Sequence, residues 1–309
     1  MKLFIKIAVA IVLISVLLRG VDWQQAADIT GSVTWWVLAV VLLVMFLELV
    51  LSAWKWSWSL RMHDLTFGLN YLFRAVAVGM FLNNFLPTSI GGDAYRVYRT
   101  LPLDGYRSRA ISAVAVERLV GLGALLALGG VGALAVLSEF AIARVYLIVL
   151  MAGGIAALLL GYAIYRGWFK PLTDRVRHLA VFDALNHNLG RLLAARREWV
   201  HLLVLSFVYQ CGSILIVYYL FHAVGYPVPL AWCALITAAA GVVAVLPISI
   251  NGIGLMEGSF VGMAVALGVT YEYALLVALV RRFVMLALSV LCGLIYALEQ
   301  KAPAPQASA

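Results

Sequence analysis

The sequence predicts an all-α polytopic membrane protein. It is built as an inverted-topology repeat, with three spans plus one re-entrant hairpin in each half. Three observations carry this. Hydrophobic residues make up 65% of the chain and charged residues 12%, about half the charged share of a soluble domain, and the mean hydropathy is +1.02. Basic residues gather in a few connections. And one short segment recurs: Pro87-Thr88-Ser89-Ile90-Gly91-Gly92, then Pro247-Ile248-Ser249-Ile250-Asn251-Gly252.

A hydrocarbon core of roughly 30 Å takes about 20 apolar residues as a helix. The first apolar run, Leu3–Leu18, has Lys6 as its one charge and no small-x-small cleavage site after it, so a retained helix is expected. The second span covers about Val33 to Leu60 and holds Glu48; it ends in Trp54, Lys55, Trp56, Trp58 and Arg61, read as an interfacial anchor. Tyr71–Pro87 is apolar but short. Arg74 precedes it, and Arg96, Arg99, Arg107 and Arg109 follow. With both flanks on one side, this segment enters and turns back.

Ile111–Leu137 is the third span, carrying Glu117 and Arg118, and Ala141–Tyr165 is the fourth. The basic connection at 166–198 is expected to be cytoplasmic and partly an amphipathic helix through Leu185, Leu189, Leu192 and Leu193. Trp199–Ala223 is the fifth span. Ala231–Gly268 is broken at Leu246–Gly254, and Tyr271–Leu298 is the last span, with Arg281 and Arg282 inside it. The Ala/Pro/Ser-rich end, 301–309, reads as a disordered tail.

Orientation follows from charge. With the N- and C-termini in the cytoplasm and both broken segments re-entrant, every basic cluster falls inside. The connections at Asp22/Asp28, at Glu139 and at Val224–Leu230 fall outside. A bundle of about eight ordinary spans is the alternative, and it puts one basic cluster on the wrong side. The net charge of +8 is thus a topology signal, and nucleic-acid binding is not expected.

The prolines of the recurring segment stand 160 residues apart. Nearly the same offset carries Val33–Leu60 towards Trp199–Ala223, Ile111–Leu137 onto Tyr271–Leu298, and Glu117-Arg118 near Arg281-Arg282. The halves are then 1–140 and 141–300, the second including the loop 166–198. Three spans per half reverses the topology between halves, which places a site among discontinuous helices at the repeat interface.

Charge within a bilayer is costly, about 2.5–3.5 kcal/mol per residue on insertion scales. Glu48, Glu117, Arg118, Arg281 and Arg282 therefore need partners or water. Pairing to hold the bundle is one reading. The other is that the excess positive charge faces a polar cavity and neutralises an anionic headgroup. Around the hairpin tips, Gly91 and Gly92 are expected to allow unusual backbone, and Gly252 and Gly254 are expected to line the site with them. Helix starts there would aim free N–H groups at phosphate. Asp93 and Glu257 sit just past the tips as helix caps or as ligands, and Asn83, Asn84, Ser89, Ser249 and Asn251 offer hydrogen bonds to freed backbone or to a headgroup.

The three cysteines, Cys211, Cys233 and Cys292, lie in apolar segments and read as packing residues. No metal-ligand spacing, Walker motif, dinucleotide fingerprint or nucleophile elbow occurs. Neither a metal, a cofactor nor catalysis is expected, and any transport is downhill, ion-coupled or driven by a partner.

At these motifs the sequence resembles the lysylphosphatidylglycerol synthase transmembrane family, also called the flippase-like domain family. The resemblance rests on three groups of residues. They are Asn84…Pro87…Gly91-Gly92-Asp93…Arg96; Glu117-Arg118; and Pro247-x-Ser249-x-x-Gly252-x-Gly254-x-x-Glu257 with Arg282. Thr88 departs from the glycine common after the first proline. The resemblance implies a bacterial or archaeal cytoplasmic-membrane protein that flips lipids or lipid-linked sugars. No synthase-like region follows the last span, so a lipid-modifying enzyme is expected as a separate partner. The leading expectation is a lipid translocator whose cleft binds an anionic headgroup. A small-solute or ion transporter on the same plan is the alternative.

Overall fold

In the computed structural model, the described residues are 33–85, 91–101, 107–165, 195–244 and 250–299, with scattered positions between 12 and 31. They form helices and no strands. In order these are α1 (Trp35–Arg61), α2 (Leu69–Phe85), α3 (Gly91–Arg99), α4 (Arg107–Ala135), α5 (Ala141–Tyr165), α6 (Arg196–Ala223), α7 (Leu230–Ala244), a 3-10 turn (Ile250–Gly252), α8 (Leu255–Ala266) and α9 (Tyr271–Glu299). By length and composition α1, α4, α6 and α9 can each cross a membrane. The protein is a multi-pass membrane protein. Most of the expected first helix, and all of the amphipathic segment through Leu193, the hairpin tips at 86–90 and 245–249, and the tail, lie outside the described residues.

Both broken segments fold as pairs of short helices, α2 with α3 and α7 with α8, each pair packed together. The larger packing pattern is reciprocal. The last long helix of each half lies on the broken pair of the other half: α4 packs on α7, and α9 packs on α2. Helices α1 and α6 pack on each other between them.

In an apolar medium, helix association depends on close backbone approach, and small residues permit it. A Cβ added to Gly132 of α4 would stand 2.5 Å from the Ala231 carbonyl oxygen at the start of α7. One added to Gly293 of α9 would stand 2.7 Å from the Phe81 ring of α2. Large side chains on the other helix faces, such as Leu134 and Leu294, are 60% exposed and suit lipid contact.

The end of α1 corrects one expectation. Trp54 is exposed, but Lys55, Trp56 and Trp58 are buried. The segment is not a surface anchor throughout. It lies where α1 meets α4 and α6, and Trp58 stacks on His201 at 4.0 Å between ring centroids. Of the cysteines, Cys233 and Cys292 are buried as packing residues, whereas Cys211 is exposed.

Candidate functional site

The helices enclose a cavity of about 710 Å³, lined by side chains from both halves. Its described walls carry five basic groups (Lys55, Arg96, Arg118, Arg281, Arg282) and four acidic ones (Glu48, Asp93, Glu117, Glu257). Nine charges inside an apolar bundle are costly unless each is paired or wet.

The first half pairs its charges closely. Glu117, buried on α4, accepts from Lys55 Nζ at 3.1 Å and from Arg96 at 2.8 Å, one cation on each carboxylate oxygen. The Arg96 guanidinium also lies 4.4 Å over the Trp56 ring, and Lys55 Nζ lies 4.8 Å from that of Tyr209. These are cation–π contacts that hold desolvated cations. Asp93, in the first turn of α3, takes Arg118 at 2.8 Å and Arg96 at 3.5 Å. The Arg118 side chain is 55% exposed, so the cavity reaches the bundle surface beside it.

The second half repeats one pair and loosens the rest. Glu257 accepts from Arg282 Nε at 2.5 Å. The carboxylate and arginine are 25 residues apart in sequence, the spacing of Asp93 and Arg118. Where the first half has Glu117, the second has Arg281. Its guanidinium donates to Ser213 Oγ at 2.9 Å and makes no ion pair among the described residues. Glu48, 9% exposed, has no hydrogen-bond partner for its buried Oε1, and Arg282 leaves one terminal nitrogen buried without a partner.

The asparagines tie the helix ends. Asn83 Oδ1 accepts the Gly92 N–H at 2.8 Å. Asn84 donates to the Met80 carbonyl and to Ser289 Oγ, and its Oδ1 accepts from Asn251 Nδ2. This bond joins the end of α2 to the 3-10 turn before α8. Glu257 Oε2 accepts the Gly254 N–H at 2.7 Å, as a capping-box glutamate does.

Of the expected site residues, Glu48, Asn84, Asp93, Arg96, Glu117, Arg118, Asn251, Glu257, Arg281 and Arg282 line the cavity. The glycines do not, and their roles differ from expectation. Gly92 sits within α3, and a Cβ there would fall 2.1 Å from the Gly79 carbonyl oxygen, so it provides space for α2, not unusual backbone. Gly91 begins α3 away from the cavity wall. Gly252 and Gly254 have φ of +70° and +79°, and Asn251 has +46°, the left-handed region that favours glycine. The N–H groups of Gly92 and Gly254 are already bonded to protein, so phosphate capture at those two backbone donors is not available. Ser249 lies outside the described residues.

Sequence reasoning missed Lys55, Tyr209, Gln210 and Ser213 as cavity residues. Lys55 was hidden among tryptophans that read as an anchor. Gln210, which donates to the Gly121 carbonyl at 2.9 Å, is a polar residue in mid-span, and that alone marks an interior-facing position.

No curated protein and no solved structure matches the chain. The family described as "Lysylphosphatidylglycerol synthase TM region" matches residues 3–293. The charged residues of the cavity all fall within that match, and the chain belongs to the lysylphosphatidylglycerol synthase transmembrane family.

Proposed function

We propose that the protein translocates a lipid or a lipid-linked sugar across a bacterial or archaeal cytoplasmic membrane, with the cavity holding an anionic headgroup. The observation that carries this is the cavity's charge balance. Its described walls hold one more basic than acidic group. Arg281 has no carboxylate in contact, and Arg282 keeps a buried donor free. Guanidinium groups match phosphate oxygens in charge and geometry, and about 710 Å³ lies within the usual size of ligand sites. The exposed Arg118 and Leu119 at the rim give a headgroup a lateral way in while its tails stay in lipid.

The proposed frame is an inverted-topology repeat with two re-entrant hairpins, α2–α3 and α7–α8, and with both termini in the cytoplasm. The reciprocal packing of α4 on α7 and α9 on α2 supports it. So do the equally spaced pairs Asp93–Arg118 and Glu257–Arg282. In this reading the chain moves its substrate without chemistry, and a separate lipid-modifying enzyme supplies it.

Native mass spectrometry of the detergent-purified protein tests the ligand class. Retained anionic lipid in wild type, depleted in an Arg281→Ala/Arg282→Ala double variant, is the expected result. Lipid-free protein that takes up a water-soluble anion into proteoliposomes would replace this reading with that of a solute transporter.

A further inference from the structure

We infer that Glu48 is a proton-binding site coupled to the headgroup, so that an anionic headgroup and a proton occupy the cavity together. This rests on the headgroup reading above.

Glu48 sits in mid-α1, 9% exposed, on the cavity wall. It makes no ion pair and no hydrogen bond among the described residues, and its buried Oε1 faces the α6 backbone. A Cβ added to Gly212 would stand 3.2 Å from that oxygen. The contrast with Glu117 is sharp: there two cations hold two oxygens. An ionised carboxylate left so bare of protein partners in a low-dielectric interior is costly, and a proton or an approaching cation relieves that cost.

The charged and titratable groups around Glu48 can be taken helix by helix. On its own helix, Lys55, whose field also reaches Glu48, is already bound to Glu117. On α4, Glu117 is held by Lys55 and Arg96, and Arg118 by Asp93. From α6 comes the Tyr209 hydroxyl, and α2 offers only Asn83 and Asn84. On α9, Arg282 is bound to Glu257. That leaves Arg281 as the one cation of the described cavity with no carboxylate in contact, and its field reaches Glu48.

The coupling follows from charge. With the cavity empty, Arg281 is the counter-ion of Glu48 and favours its carboxylate. When a phosphate diester occupies Arg281, that positive charge is spent. Glu48 then takes up a proton from bulk solvent, relayed through cavity water onto a carboxylate oxygen. When the phosphate leaves, Arg281 is restored and the proton returns to water on the side where the headgroup was released. The loaded cavity thus gains no net charge, because one anion and one proton enter together. Linkage makes the effect mutual: acid tightens headgroup binding as the headgroup tightens proton binding.

The test is calorimetric binding of dihexanoyl-phosphatidylglycerol to the purified full chain, in two buffers of different ionisation enthalpy. The phosphodiester does not titrate near neutrality, so any proton taken up goes to protein. Wild type should take up a substantial fraction of one proton per lipid bound, with a protonated-carboxyl band appearing in the infrared difference spectrum. Glu48→Gln should bind with neither, and Glu48→Asp should keep the uptake with its pH midpoint displaced. Binding without proton uptake in wild type, uptake that persists in Glu48→Gln, or an unmoved midpoint in Glu48→Asp overturns the proposal. No binding to wild type at all contradicts the headgroup reading itself and removes the proposal with it.

Discussion

Buried charge in this bundle is tolerated where it is shared. Glu117 holds Lys55 and Arg96, so Glu117→Gln strands Lys55 and leaves Arg96 only its longer contact to Asp93. A loss of about 3–5 kcal/mol is expected, the usual result of removing one partner from a buried cluster, read as a lowered melting temperature in detergent. Arg281→Ala removes one charge-assisted hydrogen bond, to Ser213, and should cost about 1.5–3 kcal/mol, less than Glu117→Gln; folded protein with weakened lipid retention is the expected outcome. His63, just past the end of α1, gives a pH prediction. Its Nδ1–H donates to the Ser59 carbonyl and its Nε2 accepts from the Ser112 hydroxyl, both at 2.8 Å. Burial pushes the imidazole below its ordinary value, against the opposing pull of the Ser59 carbonyl and Asp64. The native state therefore refuses a proton that the unfolded chain accepts near pH 6.5. Stability is full above that pH and falls as the solution is acidified through it, and His63→Gln should flatten a melting-temperature series in that window. The intramembrane Glu and Arg residues were legible from sequence because charge is rare in apolar runs. Their pairing was not, since Lys55 beside tryptophans has the same composition whether it anchors at an interface or lies buried.

Helix pairs depend on a few close approaches. Gly92 lets α3 meet α2 against the Gly79 carbonyl, so Gly92→Ala has to push the two helices apart and move Asp93 and Arg96 with them. We expect a lowered melting temperature and weakened lipid retention together. Gly258, with open space beside it, should accept Ala with little effect and serves as the control. The breaks themselves were visible in sequence, as proline, glycine and asparagine within apolar stretches. Why each glycine is there was not visible. Left-handed φ at Gly252 and Gly254 and interhelical space at Gly92 leave the same letter, and only packing separates them. Likewise Asn83 and Glu257 each occupy one backbone donor at the helix starts that looked open to phosphate.

At the scale of the whole molecule, the two proline segments pointed to the two broken helix pairs, and the packing of α4 on α7 and of α9 on α2 was not legible. A local match shows that two stretches are alike, but says nothing of which stretch each packs on. The proposed re-entrant topology makes a labelling prediction. Cysteines replacing Leu69 and Tyr98, at the two ends of the α2–α3 pair, should both react with an impermeant maleimide from the cytoplasmic side. Those replacing Leu230 and Val265 on the α7–α8 pair should both react from the opposite side. Labelling of either pair from two sides would mean full crossings. The central claim is that Arg281 and Arg282 hold a headgroup in transit. Its most direct test is the movement of a fluorescent anionic lipid between leaflets of proteoliposomes, followed by chemical quenching from outside. Wild type should move the lipid at a rate at least about tenfold above the Arg281→Ala/Arg282→Ala variant, the loss of roughly one charge-assisted contact. Equal rates for wild type and a folded double variant would contradict the account.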